Sequence, residues 1–349
     1  MKHFEASKAL AEAYKFRTLT HHAGERASRV FYQGDRKVVL VFDTEVSRAL
    51  LTSKSFAGFD YFREGIEHSV AHGVDLRQIQ AFYDASMLFK EGAAHHDLKR
   101  AFHRMLEDLC VELDDWRPRF LAYFRKRRMG IDNALDFSNA LVRLVAGLMV
   151  ARLTSIPLKQ VWRALALRRN IFYFIYHPSR QQATNDALRR LFGDAAPPEP
   201  GTHAWHARLL AQSLIVMGID PLIGAICANL VDGQAEGFDV GTYRYCPTSF
   251  VSRVCIHPVS LEGIDYSPRD VCYAALLPAV DDENGNCPGA VANSASLAFG
   301  VGMHTCIGKH VSLVVLDLAE TIYREVIGDG LGGRTEIAPD GAFLAFRNV

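Results

Sequence analysis

Apolar residues change their period along this chain, and each change marks an element. Residues Ser28–Phe42 (SRVFYQGDRKVVLVF) read as two short strands around Gly34-Asp35, a hairpin signal. Asp43 is placed to cap a helix through Leu51, with Val46, Ala49 and Leu50 on one face. Residues 57–90 mix aromatic and polar side chains, the pattern of a loop with short helices over a pocket. Helical spacing then predicts helices over Ala93–Leu113, 118–128, 133–152 and 157–175. Pro197, Pro198 and Pro200 interrupt the chain before a long helix from about Thr202 to Val231, apolar almost all round, as a helix through a protein's centre would be. Val240–Val280 reads as short strands and turns punctuated by Pro247, Pro258 and Pro268, and 281–296 is turn-rich. A last apolar helical stretch runs from His310 to Val326. The expected class is mainly α with small β-sheets (α+β), in a single domain over 1–349.

Composition narrows this picture. The 349 residues are 49% hydrophobic, enough for a sizeable core. Lys+Arg and Asp+Glu balance at 39 each, so net charge gives no reason to expect a nucleic-acid partner. Seven cysteines without CxxC spacing suggest neither a zinc site nor a disulfide framework and fit a reducing cytoplasm. The amphipathic, charged N-terminal stretch has no run long enough to span a bilayer, so no membrane anchor is expected.

Candidate chemistry concentrates in Phe299-Gly300-Val301-Gly302-Met303-His304-Thr305-Cys306-Ile307-Gly308, just before the last helix. Glycines at these spacings permit positive φ and close approach of backbone to a flat ligand. Cys306 sits where a helix begins, and N–H groups there favour an anionic sulfur. A thiolate beneath a porphyrin iron is the economical reading. The pattern F-G-x-G-x-H-x-C-x-G resembles the haem-ligand loop of the cytochrome P-450 family at every fixed position, and the chain is most similar to its soluble, bacterial-type members. The resemblance implies the cytochrome P-450 fold, haem b as cofactor and Cys306 as the iron ligand, with Phe299, Gly302, His304 and Gly308 shaping the loop around it.

Other matches are carried by the resemblance. Glu91–Arg100 (EGAAHHDLKR) is similar to the family's helix whose His and basic residue, one turn apart, reach the haem propionates, which implicates His95, Lys99 and Arg100. Arg253 in SFVSRVCI and His304 match two further propionate partners.

Two departures stand beside them. The family's A-G-x-[D/E]-T in the central helix, whose acid and alcohol relay protons, is here Met217-Gly218-Ile219-Asp220-Pro221. Gly218 and Asp220 are kept; Pro221 replaces the alcohol and kinks the helix. Asp220 is then either the remaining proton donor or a partner for a cationic substrate. Arg244-Tyr245-Cys246-Pro247 resembles the family's L-R-y-x-P, but Gly241 stands where the Glu of E-x-x-R is expected, and the region between central helix and Arg244 is reduced.

The resemblance implies a haem-thiolate monooxygenase of a small or medium organic substrate, in secondary metabolism. Alternatives are a peroxide-dependent or oxygen-independent catalyst of rearrangement or dehydration, or a non-catalytic relative that partners another enzyme. Arg125-Lys126-Arg127-Arg128, with Arg117 and Arg119, is either a solvated basic face or a docking surface for an acidic ferredoxin or flavodoxin.

Overall fold

The computed structural model describes residues 29–33, 36–41, 43–58, 63–172, 177–194, 197–231, 238, 248, 250–276, 297–328, 331, 335–337 and 346–348. Strands β1 (Arg29–Gln33) and β2 (Arg36–Val41) pair antiparallel as the alternation predicts. Helix α1 (Thr44–Thr52) follows, and the Asp43 carboxylate accepts from the Glu45 and Val46 N–H groups at 2.8 and 3.0 Å. Next come β3 (Phe56–Gly58), α2 (Arg63–Ala71), α3 (Arg77–Ala85) and a single 3₁₀ turn at Met87–Phe89, the short helices expected over 57–90.

Helix α4 (Gly92–Arg127) is one rod of 36 residues where two helices were predicted. Pro118 lies inside it without ending it. Burial explains the difference, since Leu113, Phe120 and Phe124 on either side of the proline are all core residues, and their packing keeps the helix continuous through one missing N–H. Helices α5 (Ala134–Thr154) and α6 (Leu158–Leu167) follow, then α7 (Pro178–Phe192), which the sequence reading did not place. The helix expected over 157–175 stops at Leu167, because Arg168 turns extended (φ −54°, ψ 140°).

Helix α8 runs His203–Val231, capped by the Thr202 hydroxyl, with a π-helical turn at Leu214–Gly218. The π turn lies just before Pro221. Proline cannot donate to the carbonyl four residues back and crowds it, and widening the preceding turn relieves that crowding. By length and composition α5 and α8 could each cross a membrane, but 61% and 56% of their most apolar windows are buried. They pack on each other in the core with α4, α6 and the last helix, α9 (Lys309–Ile322), which continues through a π turn at Tyr323–Ile327.

Strands β4 (Phe250–Cys255) and β7 (Val271–Ala275) complete a five-stranded sheet of order β1-β2-β7-β4-β3, with β2 and β7 parallel and the other neighbours antiparallel. A small hairpin of β5 (Val259–Leu261) and β6 (Ile264–Tyr266) joins them, and β8 (Thr335–Ile337) pairs with β9 (Phe346–Asn348). The architecture is mainly helical with small sheets, as expected. Gly241, Arg244 and the turn-rich stretch at 281–296 fall outside the described residues, so the reduced region does too.

Candidate functional site

The site begins with the loop before α9. Gly300 and Gly302 take φ of 67° and 78°, the left-handed region that glycine enters without strain. At Gly302 the approach is also steric, since a Cβ there would sit 2.9 Å from the Leu51 carbonyl oxygen. The Cys306 N–H donates to the Phe299 carbonyl at 2.8 Å, and the Thr305 hydroxyl donates to the Gly302 carbonyl at 2.7 Å, closing the loop on itself. Helix α9 starts at Lys309, three residues past Cys306 rather than at it, with Gly308 as N-cap.

Cys306 is exposed, yet protein surrounds it on the longer range over which desolvation acts. The two observations agree if the thiol opens on interior space. Desolvation pushes the thiol's pKa up, against the Gly308 N–H and the Lys99 charge, which pull it down. A metal cation would override this, because a coordinated thiol is deprotonated outright.

Helix α4 with its cap residue Glu91, strand β4 and the backbone of β3 bring polar groups to this loop. His95 from α4 and His304 from the loop meet edge to face, ring centroids 4.6 Å apart. His304 Nε2 lies 3.0 Å from Glu91 Oε1, and the Gly58 N–H of β3 donates to the same oxygen at 3.2 Å. Lys99 Nζ donates to the Met303 carbonyl at 2.8 Å, tying α4 to the loop. Arg253 of β4 stands opposite Gly58 in the sheet register, is 4% exposed and donates to the Ser252 carbonyl. Gly58 is needed there, since a Cβ would meet the Leu88 carbonyl oxygen at 2.7 Å.

Burial perturbs these groups. Desolvation lowers His95 to about 4, helped by the positive field of His304 and Lys99. It lowers His304 as well, against the Glu91 hydrogen bond. Arg253 is lowered to about 10 by desolvation, with Glu91 opposing. Both ring nitrogens of His95 and Nδ1 of His304 are buried without a hydrogen-bond partner. No carboxylate lies within ion-pairing distance of Arg253 among the described residues. A buried cation calls for an anionic acceptor, and three orphaned nitrogens beside an open thiol call for further polar partners. The two carboxylates of a haem would supply the anionic acceptor for Arg253 and polar partners for the histidines, so these residues fit that group.

The remaining sequence candidates separate. Arg100 points away from the cluster, in an exposed pair with Asp97 at 3.3 Å. Asp220, read from sequence as proton donor or substrate anchor, accepts from Arg168 on both oxygens, Nη1 to Oδ1 at 2.8 Å and Nη2 to Oδ2. Arg168 Nε also donates to the Ile215 carbonyl at 2.7 Å, inside the π turn that holds Gly218. Among the pocket candidates, Ile171 and Phe172 are buried, and residues 173–176 fall outside the described residues. Much of the basic run is engaged with α9: Arg117 with Asp317 and Thr321, Arg125 with Glu325, and Arg128 with the Ile327 carbonyl.

Two residues of the site were missed by the sequence reading. Glu91 carries no signal beyond preceding a helix, and Arg168 lies 52 positions from Asp220 with nothing local to connect them.

No family model and no curated protein matches the chain by sequence. Solved structures do match by fold. P-450 BioI, in complex with an acyl carrier protein ligated to hexadec-9Z-enoic acid, is 15% identical with a TM-score of 0.66, over 98% of each chain. PksS, the cytochrome P-450 of the bacillaene polyketide synthase of Bacillus subtilis, is 15% identical with a TM-score of 0.64, over 99% of this chain and 96% of its own. The mycinamicin VIII methyl hydroxylase MycCI of Micromonospora griseorubida is 13% identical with a TM-score of 0.62, over 95% of each. The chain has the cytochrome P-450 fold.

Proposed function

We propose, from that fold and this site, that the chain is one haem-thiolate domain acting as a cytoplasmic monooxygenase on a small or medium organic substrate. One observation carries the reading: an open Cys306 thiol stands beside a buried Arg253 with no ion-paired carboxylate among the described residues, and beside three buried imidazole nitrogens, both of His95 and Nδ1 of His304, without a hydrogen-bond partner. Haem b, when bound, supplies oxidation of a C–H bond or heteroatom, with thiolate donation favouring O–O cleavage. Cys306 would ligate its iron, Arg253, His95 and His304 would hold its propionates, and Lys99 would brace the loop. Phe299, with Lys309 over its ring at 5.7 Å, would wall the thiolate side. PksS and MycCI, one from a polyketide synthase and one acting on mycinamicin VIII, support a substrate from secondary metabolism. An acidic ferredoxin or flavodoxin would supply electrons, meeting the basic side chains that α9 leaves unengaged.

Asp220 favours a second reading of the same site. Both its oxygens accept from Arg168, so giving up a proton requires that pair to open, and Pro221 offers no hydroxyl in its place. A peroxide-driven reaction, or an oxygen-independent rearrangement or dehydration, asks less of this segment.

The test is the absorption spectrum of the reduced, CO-bound protein. The wild type should show the red-shifted Soret band of a thiolate ligand, and Cys306→Ala should lose it. A haem-loaded wild type without that band, or a Cys306→Ala variant that keeps it, overturns the assignment.

A further inference from the structure

A second polar recess lies along α8, on the N-terminal side of the π turn. It encloses about 250 Å³ between α3, the end of α7 and the first turns of α8. Trp205 and Leu209 form apolar wall, and Arg77, Gln78, Arg208 and Gln212 bring polar groups. Gln212 is eight residues before Asp220, about 12 Å along the helix axis.

Two side chains of the recess carry polarity that the described residues leave unmatched. Gln212 is 5% exposed and its side-chain amide has no hydrogen-bond partner among the described residues, although it lines the opening. Its amide is therefore free to bond whatever enters the recess. Arg208 is half-buried and its guanidinium charge is desolvated, yet no carboxylate lies within ion-pairing distance among the described residues. Its contacts hold it in place without neutralising it. Nη2 donates to Gln78 Oε1 at 3.4 Å, and the guanidinium lies over the Phe192 ring at 5.1 Å. Gln78 is in turn fixed by its own donation to the Gly193 carbonyl at 2.9 Å. Asp194, the carboxylate in the wall, sits in the field of Arg77, which is itself paired with Asp75.

We infer that this recess binds a small organic carboxylate, its oxygens accepting from Arg208 and the Gln212 amide and its compact apolar body lying against Trp205 and Leu209. A neutral amide of the same shape satisfies Gln212 but leaves Arg208 uncompensated, so the charge sets the selectivity. The volume excludes drug-sized molecules and admits a single ring or a short branched chain. The site uses no residue of the haem-thiolate reading and stands independently of it.

Calorimetry with phenylacetate and with phenylacetamide tests it, on haem-loaded wild type and on Cys306→Ala. Phenylacetate should bind one to one, about tenfold more tightly than phenylacetamide, and equally in both proteins. Arg208→Gln should lose about tenfold in affinity while Arg208→Lys retains part of it, and melting curves establish that each variant folds. Gln212→Leu should weaken binding severalfold, with its melting curve showing that the variant folds. No binding of phenylacetate at about 10 mM, weaker than ordinary small-ligand affinity, overturns the inference. So does equal affinity for acid and amide, or phenylacetate binding unchanged in Arg208→Gln. Binding that vanishes with Cys306→Ala would place the ligand at the thiolate instead.

Discussion

Arg168 and Asp220 form a bidentate ion pair, 6% and 14% exposed, that spans the π turn of α8. The same guanidinium takes the Ile215 carbonyl, so one side chain satisfies both edges of the distorted helix. Removing either residue breaks a buried ion pair. Asp220→Asn and Arg168→Gln should each lower stability by about 3–5 kcal/mol in urea unfolding, and Arg168→Met with Asp220→Leu should recover most of the loss. Full additivity of the single variants would show that the two residues do not act as a unit.

The same pair bears on oxygen activation. Pro221→Thr restores an alcohol without disturbing Arg168, and it should improve the coupling of ferredoxin-derived electrons to product while leaving peroxide-driven turnover unchanged. If coupling stays the same, and Asp220→Asn turns over like wild type with both oxidants, this segment does not govern proton delivery. The oxygen-independent reading then gains.

Arg253 and His304 should determine haem retention. Alanine at either position should lower haem occupancy severalfold at unchanged helix content, read from absorbance and circular dichroism. Fully loaded variants would assign both residues another role.

His95 sets a pH dependence in the haem-free protein. Its folded pKa, about 4, lies below the ordinary histidine value, so the unfolded chain binds the extra proton first. Its contribution is complete above pH 6.5 and is lost as pH falls from there through about 4, on the order of 3 kcal/mol in all. Denaturant unfolding at stepped pH should show this loss, and His95→Gln should flatten it. An equal acid slope in the variant would locate the effect elsewhere.

Gly302→Ala should be costly for a reason separate from the cofactor. It places a side chain at a φ of 78° and sets its Cβ 2.9 Å from the Leu51 carbonyl oxygen. A destabilisation of about 1–3 kcal/mol in the thermal or urea transition is expected, and a neutral result would mean that the loop moves to accept the methyl group.

Periodicity and loop chemistry made much of this protein legible in its sequence. The Asp43 cap, the hairpin strands, the Thr202 start of α8 and the two left-handed glycines before Cys306 all depend on neighbours within a few positions. What escaped depends on packing across the fold. Pro118 looked like a boundary, and only the burial of Phe120 and Phe124 keeps α4 continuous. Asp220 looked unpaired because Arg168 arrives from another helix's end. Arg117, Arg125 and Arg128 looked like a free basic face, and their partners lie about 200 residues away on α9.

Those arginine contacts matter for the thiolate loop itself. In sequence the chain has Gly241 where a brace for that loop is expected from the Glu of E-x-x-R. The loop is, in mechanical terms, a cantilever projecting from the N-terminal end of α9. Arg117, Arg125 and Arg128 clamp the beam along its length to the 36-residue rod of α4, and Lys99 of the same rod ties down the free tip at Met303. Root and tip are thus referred to one rigid member, and the position of Cys306 relative to His95 is gauged by α4.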